Sequence, residues 1–95
     1  MPNKAIGLIC TGHSDPAQDE QAIRDLVRER GYDFAGLLTI TDNTYMPTTL
    51  IMHTAATKGA TVILAPSLSH FGGAAEAISM VVVVDTPTAT LSRAS

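Results

Sequence analysis

The sequence predicts an α/β domain: a small, open, mainly parallel four-stranded sheet flanked by helices, occupying residues 1–95 as a single unit. Three observations carry this. The strand-length runs "AIGLIC", "ATVILA" and "VVVV" are apolar throughout rather than alternating, as expected of strands covered on both faces. Helix-period segments separate them, which is the βαβ pattern. Finally, hydrophobic residues make up 45% of the chain and charged residues 16%, enough apolar material for a core.

Each element has local support. Ala5 to Cys10 form the first strand, which breaks at "TGHSDP". Asp15 then suits an N-cap, Pro16 the first helical position and Gln18 the capping-box position. Ala22, Ile23, Leu26 and Val27 fall on one stripe of that helix, and Gly31 suits its C-terminal end. Tyr32 to Ile40 read as the second strand. Pro47 starts a second helix, with Leu50, Ile51, Met52, Ala55 and Ala56 available to the core and Lys58 and Gly59 at its end. Ala60 to Ala65 form the third strand, "GGAAEAISM" a short helix, and Val81 to Val84 the fourth strand. In the tail, Thr86 and Pro87 resemble another helix start.

Composition excludes several classes. The single cysteine, Cys10, rules out an internal disulfide framework and a cysteine-rich zinc site; at the end of an apolar strand it reads as a small buried hydrophobe. "MPNKAIGLIC" is too short and too weakly charged for a signal peptide or a membrane span, so the cytosol is the expected compartment. The net charge of −3 argues against autonomous nucleic-acid binding. Arg24, Arg28 and Arg30 alternate with Asp19, Glu20, Asp25 and Glu29, as on a solvated helix face.

Open parallel sheets bind ligands beyond the carboxyl ends of their strands. Two loops fall there: "TGHSD" with Thr11, Gly12, His13 and Ser14, and "PSLSHFGG" with Ser67, Ser69 and His70. Backbone N–H groups at a helix start favour an anion, although Ser14 and Asp15 also serve simply as caps. Ser14 or Ser69 with His13 or His70 and Asp15 supplies the residue types of a nucleophile, base and orienting group. No G-x-S-x-G, G-x-G-x-x-G or G-x-x-x-x-G-K motif accompanies them. His13, His53 and His70 lack metal-ligand spacing, so neither a metal nor a cofactor is expected.

The strand and loop "AIGLICTGHSD", the helix "DEQAIRDLVRERGYD" and the segment "VILAPSLSHFGG" together resemble the N-terminal catalytic domain of serine recombinases, over residues 5 to 73. The resemblance implies a resolvase-like fold. In that family the first strand reads about I-G-Y-x-R-x-S and the third ends L-D-R-L-x-R. Here Leu8, Cys10 and Gly12 stand at the Tyr, Arg and nucleophilic Ser, while Ser69, His70 and Gly73 stand at the Asp and the two Arg. A two-residue slip puts Ser14 at the nucleophile but Gly12 at the Arg. Phosphoryl transfer needs clustered cations around the developing charge. Strand cleavage is therefore not expected, and no residue is assigned as catalytic. The family's dimerising helix and helix-turn-helix domain fall outside this sequence, so its modes of dimerisation and DNA site recognition are not expected either.

These readings converge on an inactive resolvase-like domain acting through a protein partner or a homodimer. The alanine-rich "GGAAEAISM" offers one close-packing surface. The alternatives are a small-anion site or enzyme built on the two loops, and residual DNA binding.

Overall fold

The computed structural model describes residues 3–11, 15–41, 43–44, 46–71 and 75–91. The elements in chain order are β1 (Lys4–Thr11), α1 (Pro16–Arg30), β2 (Asp33–Thr41), α2 (Pro47–Lys58), β3 (Val62–Leu64), a 3-10 turn (Leu68–Phe71), α3 (Ala75–Ser79), β4 (Val83–Asp85) and β5 (Thr90–Leu91). The sheet order is β2-β1-β3-β4-β5. β1 runs parallel to β2 and to β3, and β3 parallel to β4, while β5 is antiparallel to β4.

The α/β class holds, with one correction: the sheet is mixed and five-stranded rather than four-stranded and mainly parallel. The extra strand replaces the expected tail helix. Thr86 does cap, but it caps a turn. Its Oγ1 accepts from the Ala89 N–H, and its own N–H donates to the Ala89 carbonyl at 2.8 Å. Pro87 fits the second position of a β-turn as well as the first turn of a helix. β4 is also displaced from 81–84 to 83–85, because the Val81 and Val82 N–H groups are still bonded to the Ile78 carbonyl at the end of α3.

The helix ends follow the local chemistry. Asp15 caps α1, its Oδ1 accepting from the Ala17 N–H at 3.0 Å, and Pro16 opens the helix. Gly31 closes α1 at φ 71°, where a side chain would be strained.

The sheet separates two apolar clusters. On one face Ile23 and Leu26 of α1 meet Ala5, Ile9, Val62 and Leu64. On the other, Ile51 and Ala55 of α2 and Ala75 and Ile78 of α3 meet Ile6, Leu8 and Ile63. Ala5 to Cys10 of β1 and all of β3 are therefore buried, which is why those strands read as unbroken apolar runs. Ala75 and Ile78 point inward, so part of the alanine-rich segment packs against its own sheet.

In β2 the register shifts so that Phe34 pairs with Ala5 while Gly36 pairs with Ile6. Ala35 is the extra residue of a bulge, and it rephases the strand so that Leu38 and Ile40 join the α2-side cluster.

Gly7 in mid-β1 allows α1 to lie close. A Cβ there would stand 2.7 Å from Leu37 Cδ1 and 2.9 Å from Ile23 Cγ2. Leu37 can swing outward; the buried, β-branched Ile23 cannot. Gly7→Ala is expected to cost about 2 kcal/mol, in the range of core overpacking, read as a lowered urea midpoint with an unchanged slope.

Candidate functional site

β1 and β3 are adjacent and parallel, and the strand order reverses between them, so the loops after both strands leave the same edge of the sheet. β1 extends further than β3: Leu64, the last residue of β3, pairs with Gly7, whereas β1 continues to Thr11. The segment after β3 folds over this unpaired half of β1. Its 3-10 turn carries His70 inward, to 3% exposure.

His70 Nδ1 accepts the backbone N–H of Cys10 at 2.9 Å. The ring thus supplies the acceptor that a longer β3 would have offered as a carbonyl. In the neutral ring the proton then sits on Nε2, which faces Asp19 Oδ2 at 3.9 Å, a separation longer than a hydrogen bond. Asp19 lies in the first turn of α1 and is itself buried. A histidine acting as a base needs one nitrogen aimed at the reacting proton. In this arrangement Nδ1 holds a main-chain amide and Nε2 faces the buried Asp19 carboxylate, so the imidazole sits between β1, α1 and the β3 loop.

The other sequence-derived site residues divide as follows. Thr11 Oγ1 donates to the Ile40 carbonyl at 3.4 Å, toward β2. The Ser67 carbonyl accepts the His70 N–H at 3.3 Å. Gly12, His13, Ser14 and the side chain of Ser69 lie outside what is described, and with them the separation between Ser14, Ser69 and His70. Cys10 is buried in the α2-side cluster, and His53 is exposed on α2. Among the described residues no three His, Cys, Asp or Glu side chains gather as metal ligands. Arg24 pairs with Glu20 and Arg28 with Asp25, each at 3.5 Å on the exposed face of α1.

A second polar centre lies under the C-terminal end of α1, and the sequence reading did not single it out. The Asp85 carboxylate, fully buried, accepts from Arg30 Nη1, from the Tyr32 hydroxyl at 2.6 Å and from Thr90 Oγ1 at 2.7 Å. Burial alone would raise the Asp85 pKa. The hydrogen bonds from Tyr32, Thr90 and Arg30, with the guanidinium charge, outweigh it and hold the carboxyl below its ordinary value. Burial, then the bond to Asp85, pushes the Tyr32 hydroxyl up to about 12. The hydrogen bond to Asp85 likewise raises Arg30. The available signal was a lone Asp directly after a buried valine run, since a carboxylate in that position must find donors.

Tyr32 binds its proton more tightly when folded. Its contribution is therefore complete below its ordinary value near 10 and is lost as the pH rises toward about 12. Stability measured against pH should fall over that alkaline window, and Tyr32→Phe should remove this part of the fall.

No family model, curated protein or solved structure matches the chain.

Proposed function

We propose that this chain is a resolvase-like association domain that works by binding a protein, foremost a second copy of itself, rather than by catalysis. One observation carries the reading: large apolar side chains stay exposed on this small domain, namely Leu37, Met46, Leu50, Met80 and Val81. Exposed apolar side chains of this kind gain from burial against another protein surface. The chemistry of the switch-point edge supports the same conclusion, because His70 is engaged in holding β1 to its neighbours and the loops lack the arginines that phosphoryl transfer requires. The cytosol fits this role. Among the described residues, no helix is long and apolar enough to cross a membrane.

A small anion at the edge is the second reading, favoured by the adjacency of β1 and β3 at the switch point. Of its residues, Thr11, Gly12, His13, Ser14, Ser67, Ser69 and His70, the His70 ring is turned inward to the Cys10 N–H.

The test is the solution mass of the full chain from low micromolar to millimolar concentration, run beside a low-salt gel shift with duplex DNA. Association without a shifted band is the expected result. A strict monomer that retards DNA with a steep salt dependence overturns the reading in favour of nucleic-acid binding.

A further inference from the structure

β2 ends the sheet: β1 pairs along one side of it, and no strand among the described residues pairs with the other. An edge strand offers a row of main-chain donors and acceptors, and proteins commonly blunt such edges with Lys or Pro. β2 has neither. Over its nine residues the only charge is Asp33, at the very start. The bulge at Ala35 also lies near the start, leaving Gly36 to Thr41 regular.

Apolar surface borders this edge on both faces of the sheet. On the α1 face Leu37 is 38% exposed, and a groove of about 500 Å³ is lined by Val27, Tyr32 and Phe34 together with Arg24, Arg28 and Gly31. On the α2 face Leu50 is 37% and Met46 52% exposed. Leu50 lies across the helix from Met52, which lines a separate groove with Val81. That places Leu50 on the β2 flank.

We infer that the β2 edge is a homodimer interface, in which β2 of two copies pairs antiparallel about a two-fold axis near Leu37. This rests on the association reading above and names its surface. Charge selects the occupant and the direction. Arg24 and Arg28 at the groove rim are already matched by Glu20 and Asp25, so the groove has little net pull for a strongly acidic or basic peptide. An in-register parallel pairing would set Asp33 against Asp33 of the second copy, a like-charge pair that destabilises a sheet. The antiparallel pairing sets Asp33 opposite Thr41 and separates the two carboxylates by about 27 Å at ~3.4 Å per residue.

Size agrees. A strand of this length spans about 30 Å, and its edge alone offers on the order of 150 Å² per copy, given a strand spacing of ~5 Å. With helix layers about 10 Å deep along the ~22 Å of α1 and ~18 Å of α2 the footprint comes to roughly 550 Å² per copy, about 1,100 Å² in total, just above the ~1,000 Å² that a specific interface should clear. Leu37, Leu50 and Met46 therefore belong to the interface along with the backbone.

Sedimentation of the full chain tests this, with Leu37→Lys/Thr39→Lys and the exposed single change Thr39→Lys beside the wild type. The wild type should sediment at twice the chain mass. The double variant should associate at least tenfold more weakly and the single variant less severely, both with unchanged far-UV circular dichroism. Val81→Lys, at an exposed residue that lines the other groove, should leave the dimer intact. A spin label on Thr39→Cys should give a short intermolecular distance. A monomeric wild type overturns both this interface and self-association. A dimer unmoved by the β2 changes, or dissolved by Val81→Lys, overturns the interface alone and leaves the association reading standing.

Discussion

Arg30→Met should destabilise the domain by about 2–3 kcal/mol at neutral pH, the largest effect of any single change on the α1 surface. The cost falls on Asp85, which is fully buried while the Arg30 side chain is 32% exposed. Stranding a buried charge usually costs about 3–5 kcal/mol. The lower figure reflects the donors that remain, the Tyr32 and Thr90 hydroxyls. Asp85→Asn should cost less, because the stranded guanidinium can reach water. The double variant should fall short of the sum, since both changes break the same contact. The pH dependence follows from the direction of the Asp85 shift. A carboxyl held below its unfolded value of about 3.9 stabilises the fold above that pH, and the contribution is lost as the pH falls through the lower folded value. The gap between wild type and Arg30→Met should therefore be full at neutral pH and close below pH ~4. Urea midpoints at neutral and strongly acid pH measure it; a gap that widens in acid contradicts the assignment.

This network also marks where sequence reasoning stopped. The βαβ frame was legible because its signals are local: Asp15 with Pro16, Gly31, Pro47 and Gly59 each announce a helix end within a few residues. Arg30 and Tyr32 lie 55 and 53 residues from Asp85, and no pattern links them until the sheet brings β4 beneath the end of α1. β5 escaped because two residues carry no period, and Thr86-Pro87 serves a turn as well as a helix. At the switch-point edge, strand order alone predicted that the loops after β1 and β3 would share one side. The direction of His70 was not predictable. It depends on β3 stopping at Leu64 while β1 runs on to Thr11, which leaves the Cys10 N–H needing an acceptor that a strand would otherwise have supplied.

His70 should accordingly behave as a structural pin, and three substitutions separate its contributions. His70→Ala removes a buried ring and its acceptor together, at about 3–4 kcal/mol: roughly 2 kcal/mol or more for the cavity and about 1–2 kcal/mol for the orphaned amide. His70→Phe refills the space but leaves the Cys10 N–H unpaired, so it should keep the polar cost alone. His70→Asn sets an oxygen near the place of Nδ1, restoring the acceptor in a smaller side chain. Amide hydrogen exchange at Cys10 reads the bond directly. Protection should collapse in the Phe variant and largely survive in the Asn variant, whatever their global stabilities. That order is specific to an imidazole serving the backbone. A ring held for proton transfer would lose its function in both variants while the Cys10 amide stayed protected, and that result would return the edge to the second reading.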